Sequence, residues 1–465
     1  MITFYNTATR EKQEFIPIDE NKVRFYACGP TIYNYSHIGN FRAYMFYDLM
    51  NRFLRYKGFD VTFAMNLTDV DDKTIRDSRA AGKSLREFTD FYADAFFKDF
   101  ETLHIKKPDH IIRATEEIDS MIELINLLLE KGHAYKAPSG DVFFKISSFK
   151  EYGKMAGIKI SQLRANADGR LADEYDKEDA EDFALWKAYT DKDGDVFWET
   201  PFGKGRPGWS LECSAMARKY LGQPIDMHLG GVDLIFPHHT NEIAQSECAY
   251  GEKFVNYWVH NAHITVNGKK MSKSLGNFYT VQDLLDKGYT PLSIRYELLK
   301  SHYRVTMDFN ESNLHGNQTV IEKLSNFINR LKETKTASGW SDLDQALTDV
   351  KTGFDAGLDD DLNMPVALAA LFSFINDVNK NFDSLSTDDA QKIIDQMYKF
   401  DMVLGLLPDL NSKKELTADQ MQLINERQAY RLEKNWAKAD ELKKILLDQG
   451  IEVKDTPQGP VWTIK

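Results

Sequence analysis

Val23-Arg-Phe-Tyr-Ala-Cys-Gly-Pro30 reads as a short buried strand, closed by a turn through Gly29, Pro30 and Thr31. From about Gly39 to Lys57 the apolar residues Phe41, Met45, Leu49, Phe53 and Leu54 recur at helical spacing, and Gly58 stands where a C-terminal cap is expected. Phe59-Asp-Val-Thr-Phe-Ala-Met-Asn66 then reads as a second strand. Strand, helix and strand with short connections form a βαβ unit, which predicts a parallel sheet. Ligands of such sheets bind outside the carboxyl ends of the strands. Cys28, His37 and the run Thr68-Asp-Val-Asp-Asp72 fall at that edge.

Working outward, a helix is predicted from about Thr115 to Lys131, stopped by Gly132. The run Ala165 to Asp182 is acidic and poor in large apolar residues, which predicts a surface loop. Asp361-Leu-Asn-Met-Pro365 opens a helix, with Asn363 near the cap and Pro365 in the first turn. The chain ends in a helix rich in Arg and Lys and a strand-like tail, Val461-Trp-Thr-Ile464. In that last helix Arg427, Tyr430, Arg431, Lys434, Trp436 and Lys438 could meet a phosphate backbone and unstacked bases. The plainer alternative is a solvated cationic face with Trp436 in the core. The expected division is a sheet domain at 1–115 and 205–290, split by an insertion at 116–204. A linking helical region at 291–345, a helical bundle at 346–410 and a small domain at 411–465 follow.

The 465 residues suggest a multidomain chain. With 42% hydrophobic and 28% charged residues it has an ordinary globular composition. No apolar run is long enough for a membrane span, and the first residues lack the apolar block of a signal peptide. Three cysteines and no export signal point to a reducing cytoplasm. The net charge of −13 counts against nucleic-acid binding unless a basic face is local.

Two of the three cysteines lie where a metal site can be built. A buried cysteine is by default a small core residue. Here Cys28 and Cys213 sit beside glycine-containing turns, and Phe236-Pro-His-His-Thr-Asn-Glu242 offers His238 and Glu242 at i,i+4 spacing, one face of a helix. Two thiolates, an imidazole and a carboxylate suit a tetrahedral zinc shell. Cys248 has no such partners and reads as a packing thiol. His239 is about 100° around a helix from His238 and reads as a supporting or packing residue.

Two runs suit phosphate. In His37-Ile-Gly-Asn40 a helix N-terminus attracts anions, Gly39 permits close approach, and His37 and Asn40 supply donors. Such a turn alone is weak evidence, since most merely cap. Lys270-Met-Ser-Lys-Ser274 is sharper: Lys270 and Lys273 could neutralise the charge that develops as pyrophosphate departs.

Together the two runs resemble the signatures of class I aminoacyl-tRNA synthetases. The surrounding motifs resemble the cysteinyl branch. They are Phe4-Tyr-Asn-Thr7, Asn66-Leu-Thr-Asp-Val-Asp-Asp-Lys73, Asp182-Phe-Ala-Leu-Trp-Lys187, Gly205-Arg-Pro-Gly-Trp209, Gly230-Gly-Val-Asp-Leu234 and the Asp455, Gly459 and Trp462 tail. The resemblance implies a Rossmann-type catalytic domain, a connective insertion, a helical C-terminal region and a small anticodon-binding domain. It implies one zinc per chain at Cys28, Cys213, His238 and Glu242. It puts Asp233 on the adenosine of ATP, and Thr68, Trp209 and His228 around the amino acid. ATP with Mg2+, L-cysteine and tRNA(Cys) are the implied substrates, and a cytoplasmic monomer is expected. The chain departs from the family pattern at Asn40, where His is usual and where Asn can still donate a hydrogen bond, and at Ser210 and Thr240, where His and Glu are usual; neither of these last two is a proposed ligand.

Zinc would answer a selectivity problem. Shape alone separates cysteine from serine by about 10–200-fold, whereas a zinc ion favours sulfur over hydroxyl. Two rivals stand beside this reading. One is a ligase joining cysteine to an amino-sugar inositol in mycothiol synthesis, which lacks the terminal module. The other is a catalytically silent paralogue that binds tRNA or cysteine.

Overall fold

Five parallel strands carry the site. The computed structural model describes residues 1–158, 182–271, 276–335, 339–407, 418–456 and 459–464. Across the sheet the order is Val255–Asn261, Ile225–Gly231, Lys22–Ala27, Asp60–Leu67 and His110–Arg113, with every neighbouring pair parallel. The βαβ unit read from the sequence forms the middle of this sheet. Its helix, Ile38–Tyr56, starts one residue earlier than the spacing suggests, because His37 caps it. It stops before Gly58, whose φ of +90° favours glycine.

Side chains alternate along the strand at Lys22–Ala27. Val23, Phe25 and Ala27 enter one core; Tyr26 and, beyond the strand, Cys28 enter the other. The first core is covered by the helices Ile38–Tyr56 and Leu85–Thr102 and by helices beyond residue 290. The second is covered by Ile118–Glu130, Trp209–Leu221 and Thr240–Tyr250. This parity puts Cys28 on the face that carries Cys213 and His238.

Between the two halves of the sheet, strands Ala134–Lys136, Val142–Phe144, Phe183–Ala188 and Gly205–Pro207 form a separate antiparallel sheet. The expected acidic loop lies outside the described residues as far as Asp182. The Asp182 carboxylate accepts bonds from the Ile146 amide and the Tyr135 hydroxyl, each at 2.9 Å. Residues Asp72 and Asp193 anchor this sheet through Lys187 and Arg206.

A small sheet follows the catalytic one. Ile264–Val266 pairs antiparallel with Lys269–Lys270 and parallel with Met307–Phe309. Then come helices Pro291–Leu299, Asn313–Lys332, Leu343–Asp359, Met364–Lys380 and Thr387–Leu404. The Met364 helix begins after Asn363 with Pro365 in its first turn, as the sequence predicts. A buried ion cluster ties this region to the sheet domain. Asp48 accepts from Arg52 and from Arg295 at 2.7 Å, and Arg295 also donates to the carbonyls of Leu103 and Leu404.

Residues 408–465 form a second unit. In it helices Ala418–Leu432 and Trp436–Asp448 pack with a hairpin, Ile451–Thr456 and Gly459–Ile464. Ile424, Leu446, Ile451 and Val453 are its core. Arg427 is buried and doubly bonded to Asp455, so it serves this fold rather than the surface. Trp436 is exposed, with Arg431 beside its ring.

Candidate active site

The strand order reverses between Lys22–Ala27 and Ile225–Gly231. Such a reversal opens a crevice at the carboxyl ends of the strands. Cys28 leaves the first strand at this point, and its amide bonds Leu229 on the second. Gly230 completes the floor: a Cβ there would collide with the His239 ring, so only glycine lets the ring pass.

Cys28, Cys213, His238 and Glu242 converge in the crevice, with their donor atoms all within 4.8 Å of one another. All four are buried. The sulfurs are 3.9 Å apart, hydrogen-bonded but not joined in a disulfide. Two Zn–S bonds of about 2.3 Å at a tetrahedral angle would separate sulfurs by about 3.8 Å, so the pair fits such an ion. Glu242 Oε1 lies 3.1 Å from His238 Nε2 and 3.9 Å from Cys28 Sγ.

The electrostatics suit a cation. Burial alone would raise the Glu242 carboxyl, but His228 and His238 hold it down to about 2. Burial also raises the Cys213 thiol, yet bonding from Cys28 and the charge of His238 bring it to about 6. Burial and Cys213 push Cys28 up. His238 is lowered by burial but lifted by Cys213 and Glu242 to about 10. A low-pKa thiol and an ionised carboxylate, both sealed from water, are the donors a divalent ion requires.

Around the proposed amino-acid residues the bonds are specific. The Thr68 hydroxyl donates to Glu212 Oε2 at 2.7 Å and accepts from Asn66. Burial raises Glu212 well above the usual carboxyl range. The Trp209 ring lies 4.2 Å from that of His238. His228 Nε2 lies 2.8 Å from Glu242 Oε2, while its buried Nδ1 has no hydrogen-bond partner among the described residues.

At the nucleotide side, His37 and Asn40 close a capping box. His37 Nδ1 accepts from the Asn40 amide, and Asn40 Oδ1 accepts from the His37 amide. An accepting Nδ1 places the ring proton on Nε2. A Cβ on Gly39 would come 3.0 Å from Ile264, which holds the helix start close to the small sheet. The Ile38 amide bonds Tyr279 O at 2.9 Å and His37 bridges Thr280. The segment after Lys270-Met-Ser-Lys-Ser274 therefore returns to the His37 turn. Lys270 lies on the strand Lys269–Lys270, and Lys273 lies outside the described residues. Asp233 is on the turn Val232–Leu234, directly after the strand Ile225–Gly231, and is not buried.

Residues 14–319 match the family model for the catalytic domain of class I (C) tRNA synthetases, and residues 353–408 match a DALR domain. The cysteine–tRNA ligase of Brachyspira hyodysenteriae is 48% identical over 100% of this chain and 99% of its own length. That of Protochlamydia amoebophila is 46% identical, covering 98% of this chain and 97% of its own. The chain belongs to the cysteine–tRNA ligase family. The fold is shared more widely: Mycobacterium tuberculosis methionyl-tRNA synthetase with methionyl-adenylate aligns with a TM-score of 0.60 at 18% identity, over 83% of this chain and 90% of that one.

Within this cysteine–tRNA ligase fold, sequence reasoning missed two residues beside the cluster, Glu212 and His260, and left the part played by His239 open between support and packing. His239 is i,i+3 from Glu242, a spacing as close on a helix as the i,i+4 of His238, so both rings flank the carboxylate. With Cys28, His228 and Glu242 it forms a second donor group within the same 4.8 Å limit. His239 Nε2 lies 3.3 Å from Cys28 Sγ, and its Nδ1 lies 2.8 Å from His260 Nε2. His260 Nδ1 lies 2.7 Å from Thr7 Oγ1. Burial and then His228 keep both rings neutral, His260 at about 3. With neutral rings the relay can run either way; a metal-bound Cys28 thiolate, which can only accept, would have Thr7 donate to His260, His260 to His239 and His239 to the Cys28 sulfur. On the other flank Ser210 Oγ is 3.2 Å from His238 Nδ1 and bonds Asn241, which in turn accepts from Tyr152.

Proposed function

We propose that this chain activates L-cysteine with ATP and transfers it to the terminal adenosine of tRNA(Cys). The observation that carries the reading is the convergence of Cys28, Cys213, His238 and Glu242 at the sheet reversal, in a chain of this family. In the first step the cysteine carboxylate attacks the α-phosphorus of ATP, and pyrophosphate leaves. In the second a ribose hydroxyl of the terminal adenosine attacks the acyl carbon, and AMP leaves with the hydroxyl proton lost to solvent or phosphate.

Positioning and charge stabilisation do most of this chemistry. His37 Nε2–H and the Asn40 side-chain Nδ2 donate to phosphoryl oxygens, and Gly39 lets the nucleotide approach. Lys270 and Lys273 neutralise the departing pyrophosphate, whose Mg2+ arrives with ATP. Asp233 meets the adenosine. Thr68, Trp209 and His228 line the amino-acid pocket. Zinc, one ion held by Cys28, Cys213, His238 and Glu242, would supply a ligand position that prefers the substrate sulfur to a hydroxyl.

Residues 408–465 would meet the tRNA through Arg431, Trp436 and Lys438, whose cations lie beside exposed or half-exposed rings. The same reading expects a cytoplasmic monomer; among the described residues no helix is long and apolar enough to cross a membrane.

Cysteine-dependent ATP–pyrophosphate exchange with paired metal analysis tests the reading. Cys28→Ser, Cys213→Ser and His238→Ala should each lower zinc content and cysteine-over-serine discrimination. If all three keep both, the ligand assignment is wrong.

A further inference from the structure

Beside the crevice lies an aromatic patch that the chemistry above does not use. Five large aromatic side chains among the described residues are well exposed: Tyr35, Phe91, Tyr220, Trp436 and Trp462. Tyr35 and Phe91, 48% and 49% exposed, touch each other edge to face, with centroids 6.1 Å apart. Tyr92 packs against both rings. Lys83 lies 5.4 Å from the Phe91 ring, and Lys73 lies 5.5 Å from that of Tyr33. Both lysines are exposed, and after the hydrogen bonds from Ser84 the charge of Lys83 also helps lower the nearby Glu87 carboxyl. Asp77, whose charge reaches Tyr92, is neutralised by Arg76 at 2.7 Å.

The patch is continuous with the crevice. The loop carrying Tyr33 and Tyr35 is pinned to the pocket by reciprocal backbone bonds: Ile32 N to Thr68 O at 3.1 Å, and Thr68 N to Pro30 O at 3.0 Å. It ends at His37, the cap of the first helix. Lys73 lies in the first turn of the helix Asp72–Ala80, which follows Thr68 at the same edge of the sheet.

We infer that Tyr35 and Phe91, with Tyr33, Tyr92, Lys73 and Lys83, form a platform on which the unpaired 3′ end of the tRNA stacks before its last nucleotide enters the crevice. Exposed rings serve any base, and exposed ammonium groups beside them meet the phosphates, so this is the surface chemistry of single-strand binding. In a chain of net charge −13, two exposed ammonium groups beside exposed rings at the mouth of the site suit that substrate. The inference rests on the ligase reading and adds to it the surface that guides the acceptor end.

The test compares tRNA charging with ATP–pyrophosphate exchange, which needs no tRNA. Tyr35→Ala with Phe91→Ala should raise the KM for tRNA about tenfold or more and leave exchange within about twofold. Tyr35→Phe with Phe91→Tyr should restore tRNA KM. Lys73→Ala with Lys83→Ala should make the salt dependence of tRNA binding shallower by about 1.4 in log–log slope. An unchanged tRNA KM in the double alanine variant overturns the proposal. So does an equal fall in exchange, which would make the rings a support of the pocket. A sedimentation shift from dimer to monomer without a tRNA effect would assign the patch to a second copy of the chain and also overturn it. Absence of exchange in the unsubstituted enzyme would refute the ligase reading itself.

Discussion

His239 Nε2 lies 3.3 Å from Cys28 Sγ. One ring thereby links a thiol at the end of one strand to His260 on another, and through it to Thr7 near the amino terminus. Such supports orient metal ligands and raise their basicity, and their loss commonly costs about 10–100-fold in metal affinity. His260→Ala and Thr7→Val should therefore lose zinc to a chelator at correspondingly lower concentrations, with the fold intact by circular dichroism. Unaltered chelator competition in both variants would show that Cys28 does not depend on the relay.

The Asp48–Arg295 pair is fully buried and joins the first helix to the helical region. Removing the shared carboxylate strands the fully buried Arg295, at a cost of about 3–5 kcal/mol. Asp48→Leu should lower stability by that order in urea unfolding. Arg295→Leu should cost less, because Asp48 keeps its pair with Arg52 at 2.8 Å.

Asp72 holds the inserted sheet through Lys187 and Arg206. Burial raises its carboxyl, but the two cations outweigh burial and bring it below 3.8. A carboxyl depressed on folding contributes stability above its unfolded value and loses it as pH falls through the folded one. Asp72→Asn should accordingly melt below the parent near neutral pH. The gap should close as the pH drops below 3.8. A gap that stays constant from neutral pH into acid would show that the charge of Asp72 is not what stabilises the sheet.

Residues 408–465 form a unit of their own with a separate core. A chain ending at residue 407 should keep cysteine-dependent pyrophosphate exchange and charge tRNA(Cys) much more slowly. Equal loss of both activities would mean that the unit supports the fold of the rest.

The parallel sheet was legible because the run from Val23 to Asn66 carries its own signals: two apolar strands, a helix of regular period and a glycine stop. The four donors could be named from residue type, and the structure brings them within 4.8 Å. His260 and Glu212 could not be named, because their proximity depends on strand order and on which face each strand residue meets. For His239 the angle from His238 left support and packing equally open; its nearness to Glu242 and Cys28 decides for support. Trp436 and Arg427 differ from the plainer expectation, the ring exposed and the cation buried, because the Asp455 that captures Arg427 lies 28 residues away on the hairpin.

Cys28 and Glu242, which meet in the crevice, are 214 residues apart in sequence. A nascent chain therefore cannot close the proposed metal site until Glu242 has left the ribosome, and a product that stops before Glu242 lacks one of its four donors.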